Sequence, residues 1–268
     1  MRTAVVVGTG LLGSSFGLAV KRAGLFDRVI GVSSPEVVSR AVAVGAVDLA
    51  MPLEDALPLA DLVLLAQPVR KILGLLERID AMLRVGTLVT DVGSTKAQIC
   101  AAGAKWIQRG RFVGGHPMAG REVRGPEGAS ADLFADRPWV LTQPVPELVS
   151  MVESLGGRPV FLGAEEHDRM VALSSHLPQL LSTALGACLS GHDVKRVAGP
   201  GLLDMTRLGL SNYEMWQDIL ATNQGNVDLA LVALINELEQ MRRALAEGGL
   251  GEHFERAGAM SRQLREEV

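Results

Sequence analysis

The 268-residue sequence predicts an α/β domain built on a mostly parallel sheet, followed by an all-helical domain. Three observations carry this. Short apolar runs alternate with helical stretches over the first ~165 residues, the pattern of strands joined by crossover helices. A glycine-rich turn, Gly8-Thr9-Gly10-Leu11-Leu12-Gly13, directly follows the first apolar run. Beyond Ala164-Glu165-Glu166-His167 the strand texture disappears. The expected boundary therefore separates residues 1–164 from residues 165–268.

Strands are expected at 3–8, 28–33, 62–67, 87–92, 111–115, 139–142 and 159–162. Several are apolar along their whole length, as strands covered by helices on both faces must be. Helices are expected between them, at 12–23, 35–44 and 69–82. The second half reads as four or five helices. One carries Val227, Leu231, Leu234, Leu238, Met241 and Leu245, a heptad-like seam. It starts after the breaker Gly225-Asn226 and ends at Gly248-Gly249. Such a seam packs either onto its own domain or against a symmetry mate, giving a homodimer.

Composition narrows the function. Hydrophobic residues make up 48% and aromatics only 4%, so Leu, Val and Ala build the core. A net charge of −4 argues against a nucleic-acid partner, which wants a basic stripe. No apolar run approaches the ~20 residues of a membrane span, and the opening residues do not resemble a cleavable signal. The two cysteines, Cys100 and Cys188, form no metal spacing and read as reduced buried thiols of a cytoplasmic protein.

The glycine turn has the G-x-G-x-x-G form of a Rossmann-type dinucleotide site. Gly8 permits the turn, Gly10 lets the backbone approach a pyrophosphate, and Gly13 allows close helix–strand packing. Leu11 and Leu12 open the helix whose N-terminus faces the anion. At the end of the second strand, Ser33-Ser34-Pro35 replaces the acid that would bind a ribose 2′-hydroxyl and repel a 2′-phosphate. Arg40 is the nearest cation. NADP is favoured on this basis, with NAD left open. Gln67-Pro68-Val69 ends the third strand as either a backbone contact to the cofactor or a simple turn.

Two further strand ends carry candidate chemistry. In Asp91-Val92-Gly93-Ser94-Thr95-Lys96, Ser94 and Thr95 stand where helix N-caps are expected, or Ser94 turns its hydroxyl to a substrate. His116, in Gly114-Gly115-His116-Pro117-Met118-Ala119-Gly120, ends the fifth strand and suits the base that takes a proton from an alcohol. In the helical part, His176 precedes Pro178, which should bend the helix and direct the imidazole inward. Arg207, in Asp204-Met205-Thr206-Arg207, suits a clamp on a substrate carboxylate. Trp216 belongs to the core or lines the pocket.

Taken in order, these motifs, with residues 125–134 and Ser175-His176-Leu177-Pro178, resemble the prephenate/arogenate dehydrogenase family of tyrosine biosynthesis over essentially the whole chain. The resemblance implies oxidative decarboxylation of a cyclohexadienol, with hydride passing to the nicotinamide. It implies that His116 accepts the hydroxyl proton and that Ser94 hydrogen-bonds that hydroxyl and the histidine. Arg207 and His176 would hold the side-chain carboxylate, while Glu122 and Asp204 shape the pocket entrance and Trp216 lines it. A homodimer through the C-terminal helices is also implied. Leu203 stands where some members carry a lysine, which removes any ionic gate built on that lysine. Larger members add a regulatory domain; here tyrosine inhibition is expected to act at the active site. Prephenate is favoured over arogenate as substrate. Two alternatives stay open. A β-hydroxyacid dehydrogenase would want a catalytic lysine after the sheet, where only Lys195 stands. A nicotinamide-sensing regulatory protein without turnover would want a partner surface or a nucleic-acid-binding module.

Overall fold

The computed structural model describes residues 2–121 and 123–266. Two compact units divide the chain, one ending at Asn223 and one beginning at Gln224.

The first unit opens with β1 (Thr3–Val7), α1 (Leu11–Arg22), β2 (Arg28–Val32), α2 (Pro35–Ala43), β3 (Leu49–Ala50) and α3 (Leu53–Ala56). It continues through β4 (Leu62–Leu65), α4 (Val69–Ile79), β5 (Leu88–Asp91), α5 (Ala97–Trp106) and β6 (Arg111–Val113). These strands form one parallel sheet in the order β3-β2-β1-β4-β5-β6. The order reverses between β1 and β4, so a crevice opens beyond their carboxyl ends.

Strand periodicity explains the apolar runs. Ala4 and Val6 face one layer, with Phe16 and Val20 of α1. Val5 and Val7 face the other, with Ile72, Leu76 and Ile79 of α4. Because side chains alternate at a period of two, a strand packed on both faces reads as continuously hydrophobic. The spacing of Val69, Ile72, Leu76 and Ile79 gives α4 its single buried stripe.

The fifth expected strand divides. After β6, the chain leaves the main sheet at Gly114 and forms β7 (Gly115–Pro117), which pairs antiparallel with β8 (Pro138–Leu141). β8 in turn pairs in parallel with β9 (Arg158–Phe161), across α6 (Pro146–Ser154). The break coincides with tertiary contacts at Gly114. The Gly114 N–H bonds to Thr142 Oγ1 at 3.0 Å rather than to a strand neighbour. A Cβ at Gly114 would also press on Cys100 Sγ. The expected single sheet is thus two.

Helices complete the unit: α7 (Ala164–Val171), α8 (Leu177–Cys188), α9 (Pro200–Thr206) and α10 (Tyr213–Thr222). The bend expected at Pro178 lies just before it, as a π-turn over Ala172–His176. Pro178 is the second residue of α8, which runs on from the π-turn without a gap.

The second unit is α11 (Gln224–Glu247) and α12 (Gly251–Glu266). Glu237 accepts hydrogen bonds from His253 at 2.6 Å and Arg256 at 2.8 Å, tying the two helices. Gly225-Asn226 does not break α11 but lies within its first turn, where the N–H groups need no helical partner. Gly248, at φ +74°, ends it in the left-handed conformation that favours glycine. Along the seam Val227 is buried, whereas Leu238 and Leu245 are exposed. Among the described residues the second half holds six α-helices, against the four or five expected, and no helix is long and apolar enough to cross a membrane. Cys100 is half-buried, and burial pushes its thiol up to about 11. Cys188 is exposed, contrary to the expectation of two buried thiols; it ends α8, most of whose last two turns lie open.

Candidate active site

The glycine turn meets the requirements of a dinucleotide cradle position by position. Gly8 has φ +100°, and a Cβ there would collide with the Ala66 carbonyl at the end of β4. A Cβ at Gly13 would collide with the Gly8 carbonyl, so only glycine lets α1 pack so close. Nothing lies within 4 Å of a Cβ at Gly10, which leaves open space where a pyrophosphate would approach. No side chain caps α1, whose first residues are Leu11 and Leu12. Its N-terminal N–H groups thus remain available to an anion. Thr9 Oγ1 is buried with no hydrogen-bond partner among the described residues. The residues present fit a bound dinucleotide.

Ser33 is half-buried at the end of β2, and Ser34 occupies the N-cap position of α2 without using its hydroxyl as a cap. Arg40 is engaged, 3.2 Å from Glu127. Pro68 caps α4, Val69 is buried in the core and Gln67 is half-buried beside Gly8.

The second part of the site hangs from the end of β5. Asp91 and Lys96 form a fully buried ion pair. The Lys96 ammonium also donates to the Gly115 carbonyl at 2.8 Å, and Asp91 Oδ1 accepts from the Gly115 N–H at 3.1 Å. Breaking a buried pair by removing one partner costs several kcal/mol, roughly 3–5, so this clasp fixes the start of β7 firmly. His116 is the next residue. The sequence motif alone gives Lys96 no role; its burial supplies one.

His116 is half-buried, and its Nδ1 lies 2.8 Å from Nε2 of His167 on α7. His167 Nδ1 lies 2.8 Å from Asp168 Oδ1. That carboxylate accepts the N–H groups of Lys96 at 2.7 Å and Ala97 at 2.9 Å, capping α5 from another helix. The N-cap expected of Ser94 or Thr95 is therefore supplied from α7. Thr95 instead shares a 2.8 Å hydrogen bond with Thr222. Ser94 is half-buried in the loop between β5 and α5. Among the described residues the His116 ring bonds to His167 rather than to Ser94.

His176 is buried at the end of the π-turn. Asn223 Nδ2 donates to the Asp168 carbonyl at 2.7 Å and lies 3.2 Å from His176 Nδ1. Trp216 meets the His176 ring edge-on, with centroids 5.9 Å apart. Its indole N–H is buried with no partner among the described residues. Burial pushes the His176 pKa down to about 4. The His116 imidazole is held well below its ordinary range, by burial first and then by the cost of adding a positive charge beside His167, Lys96 and His176. Both rings are thus neutral near pH 7.

Arg207 and Asp204 are exposed, on a 3₁₀ turn and on α9. Neither α9 nor this turn has a buried residue. The turn is nevertheless fixed to α8: Gln179 Nε2 donates to the Leu208 carbonyl at 2.7 Å, and the Gly209 N–H to Ser182 Oγ at 2.9 Å. Glu122 lies outside the described residues. His167, Asp168 and Asn223 were not anticipated. Their signal was faint: His167 is one of only five histidines in the chain.

Residues 16–157 match the family model of the prephenate dehydrogenase nucleotide-binding domain. Residues 163–257 match that of the prephenate dehydrogenase dimerization domain. The chain belongs to the prephenate dehydrogenase family. A prephenate dehydrogenase of Lactococcus lactis is 33% identical over 83% of this chain, which spans 65% of that relative's length. A cyclohexadienyl dehydrogenase of Zymomonas mobilis is 32% identical, over 93% of this chain and 91% of the relative. Among solved structures, prephenate dehydrogenase from A. aeolicus, in complex with hydroxyphenyl propionate and NAD+, superposes with a TM-score of 0.90. It is 29% identical, covering 100% of this chain and 99% of its own. Synechocystis arogenate dehydrogenase gives a TM-score of 0.84 at 30% identity, with both chains fully covered.

Proposed function

We propose that this protein is a prephenate dehydrogenase, converting prephenate to 4-hydroxyphenylpyruvate by oxidative decarboxylation in tyrosine biosynthesis. The observation that carries the reading is the neutral His116, clamped beyond the carboxyl end of β5 beside the crevice that holds the glycine turn. When bound, the nicotinamide supplies the hydride acceptor.

His116 takes the substrate hydroxyl proton while Ser94 orients that hydroxyl. Hydride would leave C4 for that acceptor and the ring carboxylate would leave as carbon dioxide, its bonding pair entering the ring; the phenolate oxygen then takes the proton back from His116. Asn223 donates toward His176 Nδ1, which leaves the His176 Nε2–H as donor to the side-chain carboxylate or keto group. Arg207 supplies the charge for that carboxylate, with Trp216 beside His176 as a wall. Glu122 and Asp204 shape the entrance.

Among the described residues, the two side chains that meet the His176 ring directly, Asn223 and Trp216, are uncharged. That favours prephenate, a keto acid, over arogenate, an amino acid. The Synechocystis relative keeps arogenate as the second reading. We favour NADP over NAD because β2 ends in Ser33-Ser34 with no acid; the NAD+ complex of the A. aeolicus relative supports NAD as the alternative.

We further propose a homodimer and a cytoplasmic location, with the domain boundary at 164/165. Exposed Leu203, Met205 and Leu210, with Leu229, Ile235 and Leu238, supply apolar surface for association. Two free cysteines fit a reducing compartment. A steady-state assay of prephenate or arogenate with NAD or NADP tests the reading. The expected result is fastest turnover for prephenate with NADP; no turnover in any pairing overturns it.

A further inference from the structure

We infer that His167 and Asp168 act as a positioning relay that holds His116 in one tautomer, with its proton on Nδ1 and its lone pair on Nε2. This deepens the proposed function and rests on His116 being the base.

The chain of donors and acceptors runs from a fixed end. The Asp168 carboxylate receives two backbone N–H groups, from Lys96 and Ala97, at the start of α5. These bonds hold both oxygens in place, and the helix N-terminus favours negative charge there. Oδ1 faces His167 Nδ1 at 2.8 Å, so that nitrogen is the donor. A neutral ring protonated at Nδ1 presents a lone pair at Nε2. His167 Nε2 therefore accepts, and His116 Nδ1, 2.8 Å away, must donate to it. The one nitrogen of His116 left with a lone pair is Nε2, the atom a substrate hydroxyl needs.

The rings meet at an interplanar angle of 72° with centroids 5.1 Å apart, a hydrogen-bonded rather than stacked pair. His167 and Asp168 are both buried, so water does not compete for these bonds. When the proton arrives on Nε2, the His116 imidazolium is already bonded at Nδ1 to a ring whose far side contacts a carboxylate. Lys96 opposes that charge from the β5 side, paired with Asp91, and His176 faces it from the π-turn.

Asp168 is a poor residue to vary, because it also caps α5. His167 has side-chain hydrogen bonds only to His116 and Asp168 among those described, which makes it the informative position. His167→Gln keeps an acceptor for His116 Nδ1, whereas His167→Ala removes it. With prephenate and NADP, kcat should fall on the order of 100-fold in His167→Ala with both KM values within about threefold. His167→Gln should recover most of that loss. Equal kcat in wild type and His167→Ala overturns the inference.

Folding failure of either variant is bypassed by ¹⁵N-histidine NMR on the unaltered protein. A His116 ring protonated at Nδ1 and bare at Nε2 is expected; protonation at Nε2 overturns the relay. Because the tautomer is read without substrate, this outcome is distinct from loss of the functional reading, which the four-pairing assay reports.

Discussion

The two halves of the site are built differently. The cofactor cradle is one continuous segment in which the main chain does the work. Gly8, Gly10 and Gly13 succeed by what they lack, and each has a different reason for lacking it. The proton-handling half gathers side chains from four separated segments, at Lys96, His116, His167 and His176, and joins them through hydrogen bonds. A backbone-built site tolerates no added atom where chain meets chain, at Gly8 and Gly13, but is indifferent to protonation. A side-chain-built site tolerates changes of shape but depends on which nitrogen holds a hydrogen.

That contrast sets the expected effects. His116→Ala should lower kcat by roughly 10²–10⁴-fold while leaving coenzyme affinity within about twofold, since general-base contributions are of that size. Parallel fluorescence titration of coenzyme checks the second part, and a matching loss of affinity merges the two halves. In the cradle, Gly13→Ala should destabilise the fold by about 1–3 kcal/mol through overpacking. Gly10→Ala has room for its Cβ, so Tm should stay within a degree or two while coenzyme Kd rises on the order of tenfold, about 1.4 kcal/mol. Equal melting of the two variants would contradict the reading of the open space at Gly10.

The histidine half should also show in pH dependence. His176 falls from 6.5 to about 4 on folding, chiefly through burial. A group depressed on folding stabilises fully above its unfolded pKa and loses that contribution as pH falls toward the folded one. Stability should therefore drop by on the order of 3 kcal/mol between pH 6.5 and 4, less in His176→Gln. An identical slope in the variant argues against it. For His116, which faces His167, Lys96 and His176, with Asp91 paired to Lys96 and Asp168 to His167, the acid limb of kcat/KM should lie below 6.5. The smallest effect belongs to Arg40, whose exposed partner Glu127 is worth about 0–1 kcal/mol. Arg40→Ala should barely change Tm; a large loss confined to NADP would mean this arginine leaves Glu127 for the 2′-phosphate.

The same contrast explains what could be read from the sequence. The glycine turn was legible because each position answers to a local steric rule. The strands of the main sheet were legible because two covered faces leave unbroken apolar runs; the two-residue edge strand β3, with one half-buried and one exposed residue, leaves no such run and was not. The split at Gly114 was not, since the residues that meet it there, Thr142 and Cys100, are distant in sequence. His167-Asp168 was hidden for a related reason. On a helix beginning Ala164-Glu165-Glu166, another polar pair looks like solvated surface until tertiary packing buries it. Asp168 replacing Ser94 and Thr95 as the cap of α5 is again a contact no local pattern announces.

The central claim joins proton removal at His116 to loss of the ring carboxylate, and both products of one turnover report on it. With prephenate labelled in the ring carboxylate, reduced coenzyme and released carbon dioxide should be counted together. One-to-one formation, abolished in both channels by His116→Ala, is the predicted result. Reduced coenzyme without carbon dioxide, or undiminished release in the variant, would contradict the account.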